Sequence, residues 1–548
     1  MKKIITLLWV VVFATTSLYP CTNILVGKKA STDGSTIISY SADSYNLYGE
    51  LYHWEAATYA PGTMLKVYEW DSGKYLGEIP QALQTYNVIG NMNEHQLAIS
   101  ETTFGGRREL KDPDGIMDYG SLIYITLQRA TNAREAIQIM TNLVEEYGFY
   151  SSGESFSIAD PNGVWVMEMI GKGPGNKGAV WVAVRIPDDA VSAHANQARI
   201  QQFPLNDKEN CIYSPDVISF AKEKGYYKGK DKDFSFAQAY APLDFGGLRF
   251  CEARVWSFFN RVNKDMGKYV TYAQGKTTDP MPLYIKPDNK LSVHDVQNYM
   301  RDHYEDTELD WRYDLGAGPF NSPYRWSPLT YEVDGEQYCN ERPIATQQTG
   351  FSFVAQMRDW LPNTIGGILW FGIDDAAQTV YYPFYCGHTE VPHEMAVGNG
   401  DLLNYSETSA FWTHNLVSNL VYTRYSDMIV DLQKVQSKLE DSYKNAQPGI
   451  EQHAKALFDN HSPETAVTFL TNYTNNLVKE GVQEWKKLGQ YILVKYLDGV
   501  VKPEENGKFK LNEHGQPANP IRTGYPEEHL RKVIKETGDR YKVLEVNP

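Results

Sequence analysis

Cys21 opens the run CTNILVGKKASTDGST at residues 21 to 36, directly behind twenty residues that read as a cleavable export signal. With that segment removed, the cysteine carries a thiol and a free α-amine on one carbon. Such a residue is its own catalytic pair. An α-amine titrates at about 7.7–8.0 and a thiol at about 8.5, so the amine takes the thiol proton at neutral pH, directly or through one water. Attack on a carbonyl then gives a thioester, and the amine helps water to hydrolyse it. No separate histidine is needed.

The export reading rests on Lys2 and Lys3 as a positive n-region and on the apolar stretch Ile4 to Ala14. That stretch is too short to span a bilayer, which takes roughly twenty apolar residues. Ala14 to Ser17 fits a cleavage site better than Leu18 and Pro20, so a short pro-segment would remain for a second or autocatalytic cut. A lipoprotein signal is the rival. Lipidation would block both thiol and amine, but Tyr19 and Pro20 are bulky where a lipobox has small residues. The reading is therefore residues 1–20 as signal and pro-segment of an exported, periplasmic or extracellular protein.

A nucleophile needs rigid surroundings, and the elements that follow supply them. Ile24 to Val26 and Thr36 to Ile38 flank a Thr32, Asp33, Gly34 turn, and Val88, Ile89 and Leu97 to Ile99 flank a second turn, GNMNEHQ at 90–96. Helical spacing takes over from 120 to 147, first through Leu122, Ile125 and Leu127, then through Ala136, Ile137, Met140, Leu143 and Val144. Strands return at Ser155 to Ala159 and Val164 to Met169 around DPNG, then at Val180 to Ile186 and Val191 to Ala195. The aromatic, Pro- and Gly-rich middle, about 205 to 400, carries a helix near Cys251 to Val262 and strands at Gly367 to Phe371 and Thr379 to Tyr382. From 410 the pattern is helical, stopping at Pro448-Gly449 and starting again at Ser462-Pro463. These elements predict an α+β fold of antiparallel sheets layered with helices. The domains read as a catalytic unit over 21–400, a helical extension over 401–495 packed on it, and a tail over 496–548.

Four segments together resemble the secreted cysteine dipeptidases of the N-terminal-nucleophile (Ntn) hydrolase superfamily, related to bile salt hydrolases and penicillin V acylases: CTNILVGKKASTDGST, GNMNEHQLAISETTFG at 90–105, VSAHANQARI at 191–200 and CEARVWSFFNRV at 251–262. The resemblance implies a four-layer αββα sandwich and a thiol protease with Cys21 as nucleophile and its amine as base. It makes Asp43 the acid that orients that amine, Asn196 the oxyanion donor, and Arg254 the residue that orders the site and favours the thiolate. Thr103 aligns near an oxyanion or substrate contact, and Glu101 is a carboxylate for a substrate's ammonium. In the acylase-like relatives an arginine stands three residues before the acid, where this chain has Tyr40, and a neutral phenol supplies no positive charge. Without the resemblance, Asp43 reads as a turn residue, Asn196 as a strand-end cap, Arg254 as an exposed helix residue and His194 as structural.

Composition narrows the partners. A net charge of −16 with no cluster of Lys and Arg excludes nucleic acid and anionic lipid. The expected partners are dipeptides or short peptides, with no stable membrane insertion and with homo-oligomerisation left open. No cofactor is expected, and no metal, since Val397 stands where HExxH would place its second histidine after His393 and Glu394. GKGPGNKG at 171–178 joins two strands and opens no helix, so it reads as a turn rather than a phosphate loop. The four cysteines besides Cys21 are widely and irregularly spaced; their compartment allows one or two disulfides, with no pairing deducible. Two other functions compete with the dipeptidase: an amidase of N-acyl amino acids or conjugated amides, and a lipid-anchored binding protein without catalysis.

Overall fold

The computed structural model describes residues 21–544. The signal and pro-segment expected over 1–20 lie outside the described residues.

The Asp-Gly turn forms as its chemistry dictates. Gly34 takes φ 86°, and Asp33 Oδ1 accepts from the Ser35 amide at 3.0 Å and its hydroxyl at 2.6 Å. This turn folds β1 (Asn23–Val26) against β2 (Thr36–Asp43), with Leu25 opposite Ile38. On its other edge β1 pairs with β6 (Val191–His194), and β2 pairs with β7 (Thr349–Met357). Tyr284–Ile285 extends the β6 edge, and Ile368–Ile373 and Tyr382–Tyr385 extend the β7 edge, which completes a seven-stranded sheet. The second sheet has eight strands built around β3 (Ala98–Gly105), β4 (Gly153–Asp160) and β5 (Gly163–Gly171). All pairings between these strands are antiparallel.

β2 packs against β3, β4 and β5, which brings the two sheets together. Both faces of the second sheet are buried, and β5 shows how. Val164 and Val166 join the core shared with the first sheet, whereas Trp165, Met167 and Met169 join the core under α1 (Tyr119–Leu127) and α2 (Ala133–Tyr147). Helix α3 (Ala253–Val262) packs on β6, and α4 (Ala410–Thr423), α5 (Tyr425–Asn460) and α6 (Pro463–Lys495) pack among themselves and on the outer strands of the first sheet. Among the described residues, no helix is long and apolar enough to cross a membrane.

Three expectations change. The stretch at 90–96 makes two turns instead of one, because Met92 and Asn93 form a short strand between Ile89 and Ala98. Asn93 fixes it: its Oδ1 accepts from the His95 and Leu97 amides, and its Nδ2 donates to the Leu127 and Ala130 carbonyls. The helix expected to stop at Pro448-Gly449 runs on to Asn460, while the break falls earlier, at Arg424 with φ −147°. A proline inside a helix removes one hydrogen bond and costs about 3 kcal/mol. Packing on both sides of it offsets that loss: Leu432, Gln436 and Tyr443 are buried before Pro448 and Ala454 after it, and Glu451 meets Arg358 at 2.7 and 2.8 Å. The strand expected at Thr379 to Tyr382 lies three residues later, at Tyr382–Tyr385. GKGPGNKG does join two paired strands, β5 and Ala179–Ile186. All five cysteines are free thiols.

Candidate active site

Cys21 lies at the start of β1, where the next residue, Thr22, bridges to Ser41 near the end of β2. The first hairpin therefore delivers the thiol and Asp43 to the same end of the sheet. Cys21 is only 5% exposed. Its Sγ donates to the Tyr40 hydroxyl at 3.6 Å, and that hydroxyl donates to Glu101 Oε1 at 2.7 Å. Burial pushes the thiol well above its ordinary value, and the charges of Glu101 and Asp43 push it further.

Asp43 is held from three sides. Arg342 Nη2 and the Thr349 hydroxyl each donate to it at 2.6 Å, and Ser41 Oγ donates at 3.2 Å. Burial raises its pKa, and Arg342 opposes that rise. Arg254 is fully buried, not an exposed helix residue, and its five hydrogen bonds define what it does. It donates to the Cys21 carbonyl at 2.6 Å, Thr22 Oγ1 at 2.8 Å, the Ala195 carbonyl at 3.2 Å, Asn196 Oδ1 at 2.9 Å and the Phe250 carbonyl at 2.7 Å. These bonds order the backbone of the nucleophile and the amide of Asn196; none of them reaches Sγ. The thiolate-favouring part of the Arg254 expectation thus has no direct contact behind it.

Asn196 lies in the bend just past β6 in the left-handed region, φ 61°, a conformation asparagine tolerates better than most residues. With Oδ1 fixed by Arg254, its Nδ2 faces the second sheet and donates to the Thr103 carbonyl at 2.8 Å. Glu101 and Thr103, two apart on β3, share one face of that strand. Glu154 stands opposite Thr103 on β4. Burial raises Glu101 to about 7, and burial together with the Glu101 charge raises Glu154 well above the usual carboxylate range. His194 is bracketed by the Thr102 and Ser157 hydroxyls at 2.7 and 2.8 Å, and burial lowers it to about 3, so it is a neutral, structural ring.

Cys21, Tyr40, Asp43, Glu101 and Thr103 line one cavity of about 290 Å³. A larger cleft of about 880 Å³ adjoins it, sharing Thr103, Asp71 and Tyr119 and adding Asn196 and Glu154. The cavity fits the acyl side of a carbonyl compound beside the thiol, and the cleft leaves room for what departs. Of the six residues singled out in the sequence, Arg254 alone lies behind the walls. Arg342, Thr349 and Glu154 are the members that sequence reasoning missed. Arg342 and Thr349 sit in a region read as loops and aromatics, and nothing local marks them as partners of a residue 299 or 306 positions away. Glu154 had a weak signal, a carboxylate near the start of the buried strand GESFSIAD.

The profile of peptidase family C69 matches residues 20–58 and 50–438. The chain is similar to a probable dipeptidase of Salmonella dublin, 27% identical over 389 residues that cover 67% of this chain and 81% of that protein. It is also similar to a probable dipeptidase of Latilactobacillus sakei, 25% identical over 508 residues, covering 86% of this chain and 97% of that one. Dipeptidase A of Lactobacillus helveticus is 25% identical over 455 residues, 77% of this chain and 85% of its own.

Proposed function

The chain belongs to peptidase family C69, and from that premise we propose that it is an exported Ntn dipeptidase, active in the periplasm or outside the cell, that cleaves peptide bonds through a thioester on Cys21. The antiparallel sheets and the helices packed on each support the four-layer sandwich of that superfamily. The observation that carries the reading is a thiol in a small, carboxylate-lined cavity whose backbone carbonyl and neighbouring amide, that of Asn196, are held by one buried guanidinium.

In this mechanism, removal of residues 1–20 frees the Cys21 amine, and Asp43, anchored by Arg342, orients it. The amine takes the thiol proton, and the thiolate attacks the scissile carbonyl carbon. Asn196 Nδ2 donates to the oxyanion, the proton passes to the leaving amine, and the C–N bond breaks to leave a thioester. Water, deprotonated by the same amine, attacks the thioester, and sulfur leaves as the thiol. Glu101 takes the substrate's α-ammonium. That contact also answers the missing arginine at Tyr40: the Glu101 charge is one of the groups that hold the thiol protonated, and a bound ammonium neutralises it. The substrate itself supplies the positive charge that a phenol lacks.

The test joins processing to activity. Intact mass and N-terminal sequencing of the exported protein should show a free Cys21 amine without lipid, and the purified protein should release amino acids from dipeptides rather than acid from acyl amides. Cys21→Ala should abolish turnover, and Asn196→Ala should lower kcat by about a hundredfold. A fully active Cys21→Ala variant would sink the mechanism, and a lipidated N-terminus would favour the binding-protein alternative. Acyl-amide hydrolysis alone would favour the amidase.

A further inference from the structure

The walls of the Cys21 cavity are one-sided in charge. Glu50, Asp71 and Glu101 line it beside Asp43, and among the described residues no Lys, Arg or His does. Asp43 has Arg342 as its counter-ion, but among the described residues the other three form no salt bridge. Glu50 takes only the Gly398 amide and the Tyr52 hydroxyl, and Glu101 only uncharged donors and its acidic neighbour Glu154. On Asp71, the Lys111 charge acts more weakly than the opposing charges of Asp118 and Glu69. Glu101 Oε2 and Glu154 Oε2 are buried and, among the described residues, take no donor other than a proton the two carboxyls would share. A buried carboxylate oxygen left without a donor costs free energy unless a ligand supplies one.

One part of the remaining wall is aromatic. Tyr52 meets Trp70 edge-on with ring centroids 4.8 Å apart, and Trp70 meets Tyr124 at 4.6 Å. The chain runs from Glu50 to Tyr52 at one side of this wall and from Trp70 to Asp71 at the other, so each carboxylate flanks a ring. Acid beside aromatic faces, without a cation, is the chemistry that receives an organic cation.

Resting on the dipeptidase reading, in which Glu101 takes the α-ammonium, we propose that the cavity selects dipeptides whose N-terminal residue carries a cationic side chain, lysyl or arginyl, received by Glu50 and Asp71 along the Tyr52–Trp70 wall. A neutral side chain of the same length would fill the space and leave those carboxylates unpaired.

The experiment compares lysyl-alanine with norleucyl-alanine, which keeps the four-carbon chain and lacks the ammonium. The mature enzyme should favour lysyl-alanine in kcat/KM by at least about tenfold, and the ratio should fall toward one in Glu50→Gln with Asp71→Asn. Equal kcat/KM for the two substrates, or a ratio that survives the double substitution, would overturn the proposal. Binding of lysinamide and norleucinamide to Cys21→Ala, followed by calorimetry, separates this inference from the catalytic one. Tighter lysinamide binding in a protein whose wild type cleaves no dipeptide would support the cation site while overturning the dipeptidase reading, and equal binding would overturn the cation site.

Discussion

Glu101 accepts the Tyr40 hydroxyl on one oxygen and is paired with the buried carboxyl of Glu154. Burial lifts its pKa from 4.5 to about 7, so the folded chain holds a proton that the unfolded chain gives up. The sign follows: between the unfolded value and about 7 the native state binds more protons, and this residue's contribution to stability falls as pH rises. Glu101→Gln should therefore raise Tm by about 2 °C at pH 8, and the difference should vanish near pH 4. Calorimetric scans at the two values check it, and a variant less stable than wild type at pH 8 would contradict the burial argument. The same substitution should raise KM for dipeptides. A residue that weakens the fold where it serves the substrate is the usual trade at a binding site.

Among the elements, α5 states most plainly how packing overrides local propensity. Its 36 residues continue through Pro448, although the sequence signal there is a stop. The part beyond the proline is tied down by Glu451, whose two oxygens take both Nη groups of Arg358, while Arg358 also donates to the Gly366 and Ile365 carbonyls. Since the helix bears the proline's missing hydrogen bond without needing its φ restraint, Pro448→Ala should stabilise the protein by about 1 kcal/mol or more. The urea midpoint reads this directly; an unchanged or lower midpoint would mean that a kink at Pro448 is required for the docking of α5 on α6. At the other extreme, β1 and β2 needed no such help. The Asp33-Gly34 turn and the two short apolar runs around it were enough to place them, and with them Cys21 and Asp43.

On the scale of the whole molecule, the helices after residue 400 share one buried core with the first sheet. Val417, Leu432, Trp485 and Ile492 belong to the same apolar cluster as Trp370, Tyr382 and Phe384. Gly481 approaches Tyr382 so closely that a Cβ there would lie 2.4 Å from its hydroxyl. A chain ended at residue 400 would leave that face of the sheet in water, so it should lack near-UV circular dichroism and a cooperative unfolding transition, and it should be inactive. A truncated chain that unfolds cooperatively would show that the helices are dispensable to the core. By itself the sequence determined the hairpins, most helix positions and the candidates Cys21, Asp43, Glu101, Thr103, Asn196 and Arg254, because turn chemistry, hydrophobic period and short motifs are local properties. Only the tertiary structure decided what those residues touch. Thr349 reaches Asp43 because β7 pairs with β2, Arg342 enters from the loop before it, and Glu50, Asp71 and the aromatic wall close around the thiol from segments with no motif of their own. Such contacts depend on strand order and sheet packing across hundreds of residues, which no local pattern encodes.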